Sequence, residues 1–397
     1  MWKPIRIAVL AEHTRAFTRE LLAGIGKVAQ DRRDWSLELV SPDRFGSQPL
    51  DGYDAFIARI LTDRDANRLA ATHKPVVDVF GRSDRLDFPC AAPDNRAIGR
   101  LAANHFLSRR FSSFAFCGYE GIRYSDSRRT AFVRHVAEAG FGCAVYQTPS
   151  KALERFRGGP KRNERLDTDG DSRELVRWAQ SLPDKTAVFC ASDLKAWQFL
   201  AVCRGLGRRI PDDLAILGVD DDPIICNFTA PALSSVNPNA FAVGRRATAL
   251  LDLILKGKRP RPFTNILPKG ITVRASTETY PLDPPWISEA LVFIHRKVAA
   301  NLTAADVYNH LGLSHTTVDA GFRKTLGTSV QREIAHARLD EARRLLEAND
   351  LPLSEIARRA GFASAAYFTR SFSAAFGVTP SAHQGTRVKY VLRQGGK

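Results

Sequence analysis

The sequence predicts a two-lobed α/β domain, with parallel sheets flanked by helices, followed by an all-α domain that contains two helix-turn-helix units. Three observations support this fold class. Short β-branched runs alternate with helical segments up to about residue 280. A proline-rich segment at residues 277–286 ends the alternation. Beyond it, two stretches of sequence match each other at an offset of 50 residues.

The alternating region begins with the strand-like run RIAVL, followed by a segment whose apolar residues share one helical face. Later strand-like runs are SLELV, AFIARI, PVVDVF, FAFCGY, AVFCAS and LAILGVD. Helical patterns lie between them, around residues 94–109, 128–139, 172–181, 194–205 and 241–256. Such alternation requires crossover connections, so it predicts mostly parallel, doubly wound sheets, and the number of strands fits two lobes better than one.

Bulk properties limit the possible functions. The chain has 397 residues, more than one hydrophobic core usually serves, and its net charge of +16 favours polyanionic partners. The apolar run before Glu12 is too short for a signal peptide or a membrane span, so we expect a cytoplasmic protein without membrane contact. The six cysteines have no CxxC spacing, and we therefore expect buried thiols, no disulfide framework, no metal site and no cofactor.

Each half of the C-terminal repeat has the pattern of a helix-turn-helix unit. Residues 303–311 and 353–360 are the predicted first helices, and a turn with a glycine follows each of them. The second helices end before Gly327 and Gly377, as expected for glycine just beyond a helix C-terminus. A long helix over residues 330–348 joins the two units.

The second helix of each unit is expected to enter the major groove of double-stranded DNA with its N-terminal side chains toward the bases. In the first unit the predicted contacts are Ser314, His315, Thr316, Thr317 and Asp319, with Arg323 toward phosphate. In the second unit they are Ser364, Ala365, Ala366, Tyr367, Thr369 and Arg370. The alanine methyl groups can contact thymine but cannot hydrogen-bond. The alternative for each polar residue is an ordinary solvated helix face.

Residues 287–385 resemble the AraC-type DNA-binding domain. The matching positions are Leu313-Ser314, Phe322-Arg323-Lys324, Gly327, Arg338-Leu339, Ala342, Leu345-Leu346, Ile356-Ala357, Gly361-Phe362, Phe368, Arg370, Phe372, Gly377 and Thr379-Pro380. Gly321 departs from the family, which usually has a basic residue there, and this change is expected to weaken one phosphate or base contact. His383-Gln384 replaces the usual Tyr-Arg pair, with an expected effect on packing.

Charged and aromatic residues follow several predicted strands of the first 280 residues. Ligands of open α/β sheets bind beyond the carboxyl ends of strands, and carboxylates and guanidinium groups form strong hydrogen bonds to hydroxyl pairs. The candidates for binding a polyhydroxyl ligand are Glu12, His13, Phe17, Asp94, Arg128, Asp193, Asp220 and Asp221, with Arg128 expected to open its helix. Taken singly, each has an ordinary alternative: a helix cap, a turn residue, a surface cation or, for Phe17, a core position.

Residues 5–278 resemble the effector-binding domain of LacI-type regulators, itself similar to periplasmic sugar-binding proteins. The resemblance is carried by ASDLKA, RGLGRRIPDDLAILGVDDDP, APALSSV, AVGRRATALLDLILKG and VRAST. It implies a periplasmic-binding-protein-like sensor, and the family's ligand contacts fall on Asp94, Arg128, Asp193 and Asp220. The implied domains are a sensor at 1–278 (lobe 1 about 1–106 and 238–264, lobe 2 about 107–237 and 265–278), a linker at 279–286 and a DNA-binding domain at 287–397.

A LacI-like sensor ahead of an AraC-like reader is the arrangement of xylose operon regulators, and this resemblance spans nearly the whole chain. It implies D-xylose or a related pentose as the effector, a homodimer on operator half-sites, and activation of sugar-catabolism genes together with RNA polymerase. A regulator for a different sugar remains an alternative. A solute-binding component of a sugar transporter would explain the lobes but not the repeat. An enzyme is disfavoured because no P-loop, GxSxG or HExxH motif occurs.

Overall fold

The computed structural model describes residues 4–41, 45, 49–60, 62–81, 88–149, 172–348 and 351–384. The chain divides into two compact units, which we call the sensor unit and the reader unit. The sensor unit comprises residues 1–107 and 112–277, and the reader unit comprises residues 108–111 and 278–397. The sequence predicts that the first domain ends at residue 278, close to this division. The last thirteen residues of the predicted DNA-binding domain lie outside the described residues.

The sensor unit contains two six-stranded sheets. The strands are β1 (Ile5–Leu10), β2 (Trp35–Val40), β3 (Ala55–Ala58), β4 (Val76–Asp78), β5 (Cys90–Pro93), β6 (Ser113–Tyr119), β7 (Cys143–Thr148), β8 (Thr186–Cys190), β9 (Leu214–Val219), β10 (Ser234–Asn237), β11 (Phe263–Ile266) and β12 (Gly270–Thr272). The first sheet has the order β11-β5-β4-β3-β1-β2, and the second has the order β12-β10-β9-β8-β6-β7. Every pairing is parallel except β10 with β12, which confirms the predicted two-lobed parallel architecture.

Helices connect these strands as crossovers. They are α1 (Ala16–Ala29), α2 (Asp63–Ala70), α3 (Asn95–Ser108), α4 (Arg123–Glu138), α5 (Ser172–Ser181), α6 (Asp193–Gly205), α7 (Pro223–Phe228) and α8 (Ala240–Leu255). The chain passes between the sheets three times: after α3, after β10 and between β11 and β12. These passages lie close to the lobe borders expected from the sequence.

The start of α4 corrects one prediction. Arg128 does not open its helix, because α4 begins at Arg123 and Arg128 lies in the second turn. The buried face of this helix carries Ser125 and Arg128 before Phe132 and Val136. Because the inner face of the first turns carries two polar residues, the hydrophobic periodicity of the sequence does not reveal where α4 begins.

Apolar strands that are buried on both faces form the centre of each sheet. All residues of β3, β8 and β9 are buried, as expected for central strands of parallel sheets.

Five of the six cysteines are buried, and Cys143 is partly exposed. In the described part of the chain, every helix is too short or too polar to cross a lipid bilayer. The same residues include no group of three His, Cys, Asp or Glu side chains suited to a metal ion.

The reader unit consists of helices. They are α9 (Pro285–Lys297), α10 (Ala304–Leu311), α11 (His315–Leu326), α12 (Val330–Ala348), α13 (Leu353–Arg359) and α14 (Ala365–Phe376). The pairs α10–α11 and α13–α14 are the two helix-turn-helix units, and both second helices end at a left-handed glycine, as the sequence predicts. The predicted linker is shorter than expected, because α9 already starts at Pro285.

Two separate cores hold the two halves of the reader unit. The first core packs α9, α10 and α11 against the start of α12, and Phe322 is fully buried in it. The second packs the end of α12 against α13 and α14, with Phe368 and Phe372 fully buried. Because α12 contributes to both cores, its rigid length fixes the separation of the two helix-turn-helix units.

Helices α1 and α8 of the sensor unit touch backbone to backbone at two glycines. A Cβ atom on Gly24 would lie 2.0 Å from the carbonyl oxygen of Phe241, and one on Gly244 would lie 2.1 Å from that of Leu21. No side chain fits at these distances, so the absence of a side chain is a packing requirement here. Gly26, two residues further along α1, has open space where a Cβ would stand.

We expect Gly24→Ala and Gly244→Ala each to destabilise the sensor unit by about 2 kcal/mol or more, since the helices must separate to admit the methyl group. Gly26→Ala is the matched control and should be neutral or stabilising by up to ~1 kcal/mol, because alanine is the better helix former. Calorimetric unfolding of the full chain measures both effects. Equal midpoints for the Gly24 and Gly26 variants would contradict the close helix contact.

Candidate functional site

Charged side chains from both lobes meet just beyond the carboxyl ends of the strands in the sensor unit. Four of the predicted candidates, Glu12, Arg128, Asp193 and Asp220, belong to this group, which we call the cleft cluster. It comprises Glu12, Arg15 and Arg59 from lobe 1 and Arg128, Asp193, Asp220 and Asp222 from lobe 2. The other three members, Arg15, Arg59 and Asp222, were not predicted.

Arg128 is buried between the two lobes, with only 4% of its surface exposed. Its Nη1 donates to the carbonyl oxygen of Ala191 at 2.5 Å, and its Nε donates to Asn95 Oδ1 of lobe 1 at 2.9 Å. The guanidinium group also lies over the ring of Tyr124, 4.9 Å from its centroid. Burial lowers the pKa of Arg128, and the carboxylate of Asp220 opposes this shift. Both acceptors are neutral, so nearby acids balance the buried charge at longer range.

Asp193 opens α6 and points toward β9 and β10. Its carboxylate accepts hydrogen bonds from the backbone N–H of Asp222 at 2.9 Å, from Ser235 Oγ at 2.5 Å and from Cys226 Sγ at 3.4 Å. Gly218 of β9 makes room for it, because a Cβ there would lie 2.1 Å from Asp193 Oδ1. Burial, reinforced by the negative charge of Asp220, raises the pKa of Asp193 to about 7. Asp193 is therefore a buried carboxyl that titrates near neutral pH.

Asp220 follows β9 in an unusual backbone conformation. Its φ is +125° and that of Asp221 is +50°, values that non-glycine residues rarely adopt. Burial raises the pKa of Asp220, while the guanidinium groups of Arg128, Arg15 and Arg59 lower it. The Asp220 carboxylate thus interacts electrostatically with guanidinium groups of both lobes.

Lobe 1 contributes an ion-pair group built on Glu12. Arg59 Nη1 lies 2.6 Å from Glu12 Oε1, and Arg15 Nε lies 3.3 Å from the same oxygen. The Arg59 guanidinium also lies over the ring of Phe80, 4.8 Å from its centroid. Within the described residues, the Nε of Arg59 is buried without a hydrogen-bond partner. A buried N–H donor of this kind is one that a ligand hydroxyl could satisfy.

Asp222 joins the lobes directly. Its Oδ2 accepts a hydrogen bond from the backbone N–H of Ala16 at the start of α1 at 3.3 Å, and its Oδ1 lies 3.5 Å from Arg19 Nη2. The same carboxylate caps α7 by accepting from the backbone N–H of Ile224 at 3.0 Å. Its own N–H donates to Asp193. One carboxylate therefore links the N-terminus of α1 in lobe 1 to the loop that follows β9 in lobe 2.

Asp94 lies at the start of α3, where its carboxylate accepts from the backbone N–H of Ala97 at 2.8 Å. This is the N-cap alternative that the sequence left open. The neighbouring Asn95, not Asp94, contacts Arg128. A ligand role for Asp94 remains a prediction.

Three further candidates lie at the margin of the cleft cluster. Asp221 pairs with Arg274 at 3.0 Å and accepts from Thr272 Oγ1 at 2.8 Å, which ties the end of β9 to the edge strand β12. His13 is exposed in the loop after β1, and Phe17 is half-buried on the first turn of α1. Ligand contacts by these three residues are likewise still predictions.

The predicted reading face of the first helix-turn-helix unit is exposed. Ser314 caps α11 by accepting from the backbone N–H of Thr317 at 3.2 Å. Val318 and Phe322 are buried on the inner side, and the residues before Val318 face outward. The exposed predicted contacts are Ser314, His315, Thr316, Thr317 and Arg323. Asp319 is half-buried and accepts a hydrogen bond from the hydroxyl of Tyr308 on α10 at 3.2 Å.

The second unit presents the equivalent face of α14. Ser364 accepts from the backbone N–H of Tyr367 at 3.2 Å, and Phe368 and Phe372 anchor the inner side. The exposed predicted contacts are Ser364, Ala365, Ala366, Tyr367 and Arg370. Thr369 is half-buried, and its hydroxyl donates to the carbonyl oxygen of Ala365 at 2.9 Å. The N-terminal turns of both helices are exposed, as contact with a DNA duplex requires.

The structure explains the departure at Gly321. A Cβ at this position would lie 2.2 Å from Cη2 of Trp286, whose indole ring covers the glycine and stacks near Phe322. The indole therefore occupies the space of the missing basic side chain. At the other departure, the rings of His383 and Phe372 pack edge to face, and Gln384 donates to the carbonyl oxygen of Leu351 at 3.2 Å.

The raised pKa of Asp193 predicts how stability depends on pH. Its ordinary pKa of 3.8 rises to about 7 in the folded chain, so between these values the folded state binds the proton more strongly than the unfolded state. The Asp193 contribution should therefore stabilise the fold as pH falls from 7 toward 4, by up to ~1.4 kcal/mol per pH unit.

Asp193→Asn should remove this slope, because the amide is neutral and keeps an oxygen that accepts hydrogen bonds. Ser235→Ala, which deletes one donor to the carboxylate, should move the transition to higher pH. Urea unfolding of the full chain between pH 5 and 8 measures both. An unchanged slope in the asparagine variant would assign the pH dependence to other groups.

Comparison with known proteins extends these observations to the whole chain. Residues 103–277 match the family model of a periplasmic binding protein-like domain, and residues 307–385 match that of a helix-turn-helix domain. The xylose operon regulatory protein of Escherichia coli (strain K12) is 27% identical over 98% of this chain and 98% of its own length. The protein of the same name from Haemophilus influenzae (strain ATCC 51907 / DSM 11121 / KW20 / Rd) is 25% identical over 94% of this chain and 97% of its own length.

A solved structure shows the same order of units. It is described as a xylose-binding transcription activator, with a TM-score of 0.59, 25% sequence identity and coverage of 97% of this chain and 99% of that chain. The structure of a cellobiose complex of a transcriptional regulator shares the sensor fold, with a TM-score of 0.55 and 21% identity over 69% of this chain and 85% of that chain. The chain is therefore a transcription regulator that joins a periplasmic binding protein-like domain to a helix-turn-helix domain, and it is similar over nearly its whole length to xylose operon regulatory proteins.

Proposed function

We propose that the chain is a pentose-dependent activator of sugar-catabolism genes, with D-xylose as its effector and the cleft cluster as the effector site. The observation that carries the proposal is the meeting of opposite charges from both lobes at one largely buried place, with Arg59 Nε buried and unpartnered there. Carboxylates accept from sugar hydroxyls and guanidinium groups donate to them, so this set suits a small polyhydroxyl ligand. The names of the full-length relatives support xylose among such ligands.

Each residue of the cluster has a proposed role. Arg128, fixed by Asn95 and Ala191, donates to sugar hydroxyls from lobe 2, and Asp220 accepts from them. Arg59 donates through its free Nε from lobe 1, while Glu12 holds its guanidinium in place. Asp193 is held by three donors and so positions the loop around Asp220.

The proposed response is a shift between two states of the sensor. A ligand changes such an equilibrium only through different affinities for the two states, and a sugar that contacts both lobes favours the closed one. The Asp222 link to α1 already favours closure, and the sugar adds further contacts across the lobes. In this mechanism closure changes the geometry of a homodimer, which then places its readers on adjacent half-sites beside RNA polymerase in the cytoplasm.

A solute-binding component of a transporter is a weaker alternative. It would use the same two-lobed domain, but it leaves the duplicated helix-turn-helix units without a role. Removal of residues 285–397 separates the two functions, since a transport component would keep its activity and a regulator would lose DNA binding.

Arg128→Ala and Asp220→Ala should abolish the effector response and leave DNA affinity without sugar largely intact, because both side chains lie in the cleft cluster. Arg134→Ala is the matched control, on the same helix as Arg128 but with 79% of its side chain exposed. Calorimetric titration with a panel of pentoses and hexoses identifies the sugar, and mobility shifts measure the DNA. Binding of a hexose in preference to every pentose would redirect the proposal to another sugar, and an unaltered response in the Arg128 and Asp220 variants would remove the assigned site.

Arg323→Ala should weaken binding of operator and unrelated DNA by similar factors and lower the slope of log affinity against log salt by about 1, as expected for one lost phosphate contact. Thr316→Ala, on the exposed face of the same helix, should instead weaken the operator selectively by about 1 kcal/mol. Anisotropy titrations of both duplexes at several salt concentrations distinguish the two effects. A purely operator-specific loss for the arginine variant would show that Arg323 contacts a base.

A further inference from the structure

The two reading helices start from the same scaffold. Each begins after a serine N-cap, Ser314 or Ser364, whose hydroxyl accepts from the backbone N–H three residues later at 3.2 Å. Each is anchored by two buried residues four positions apart, and each ends at a left-handed glycine. Any difference in what the helices recognise therefore comes from the outward side chains of their first turns, not from the backbone.

Those side chains differ in chemistry. The first two positions of α11 are His315 and Thr316, which are exposed and can both hydrogen-bond. The same positions of α14 are Ala365 and Ala366, which are equally exposed and present only methyl groups. Two adjacent methyl groups in the turn that would enter the groove leave no side-chain donor or acceptor at that point.

The hydroxyl groups nearest to these methyl groups are engaged inside α14. The Ser364 oxygen accepts the capping hydrogen bond, and the Thr369 hydroxyl donates to the carbonyl oxygen of Ala365 at 2.9 Å. Tyr367 is 50% exposed, and its ring packs near Phe362 with centroids 6.1 Å apart. Arg370, the first charged side chain of the helix, comes more than one turn after the alanines. Ala365 and Ala366 therefore form an apolar patch at the leading edge of α14, next to the capping Ser364.

We infer that α14 selects its half-site through contact of Ala365 and Ala366 with thymine 5-methyl groups, whereas α11 selects its half-site through hydrogen bonds. The inference rests on the proposed function, in which both helices bind DNA. In the major groove the thymine methyl group is the apolar feature of a base edge, and alanine is one of the residues that contact it. The half-site of α14 is accordingly rich in thymine at the positions under its first turn.

The test changes the DNA and the protein by single methyl groups. Operator duplexes are first selected from a random pool with the full chain, and each thymine is then replaced in turn by deoxyuridine. Loss of one contacted methyl group should weaken binding about three- to fivefold at one or two positions. In Ala366→Gly or Ala365→Gly the same replacement should cost nothing further, since the partner methyl group is already absent. Ala374→Gly, at an exposed alanine later in the same helix and outside the predicted contacts, is the matched control and should keep full sensitivity.

The outcomes separate the possibilities. Non-additivity between a deoxyuridine and one of the glycine variants supports the inference. Sequence-specific binding in which no thymine replacement is coupled to either alanine would overturn it and leave the proposed function intact. Loss of base selectivity in Tyr367→Phe at the same positions would also overturn it, because a hydroxyl would then be the reading group. Absence of any sequence-specific binding by the unaltered chain would remove the proposed function and the inference together.

Discussion

Buried charge at the junction of the two lobes is the constraint on which the sensor unit depends. Arg128 is buried and Asp220 is half-buried beside it, and holding these charges away from water is costly without opposite charge nearby. Part of that charge comes from Arg15 and Arg59 on the other lobe. The two parallel sheets must therefore present their carboxyl ends to each other, and the place where they meet is electrostatically suited to hydroxyl groups. The same charged groups therefore hold the two lobes together and provide the hydrogen-bonding groups of the proposed ligand site.

Backbone spacing makes this arrangement possible. Gly218 leaves room for the carboxylate of Asp193, and the glycines of α1 and α8 let these helices approach closely on lobe 1. Asp222 then uses the start of α1 as a partner for lobe 2. Small residues in the strands and helices thus determine where the large charged groups can lie.

The reader unit uses the same backbone arrangement twice, once in each helix-turn-helix unit. Serine caps, buried anchors and terminal glycines are retained in both copies, while the exposed first turns have diverged from His315-Thr316 to Ala365-Ala366. Because the inner faces fix the scaffold, the outer faces are free to differ. Trp286 over Gly321 shows the limit of this freedom, because there packing has replaced a side chain that could have reached DNA.

The sequence by itself determined the two-lobed parallel architecture, the duplicated helix-turn-helix units and the positions of Asp193 and Asp220 after their strands, because these depend on local period and on residues that follow strands. It did not reveal the start of α4, whose inner face is polar, or the roles of Arg59 and Asp222. Only the tertiary structure decided which charges share one place and which, like Asp221 with Arg274, pair elsewhere. Contacts between residues hundreds of positions apart, such as Ala16 with Asp222, are set by the packing of whole lobes and leave no trace in local spacing.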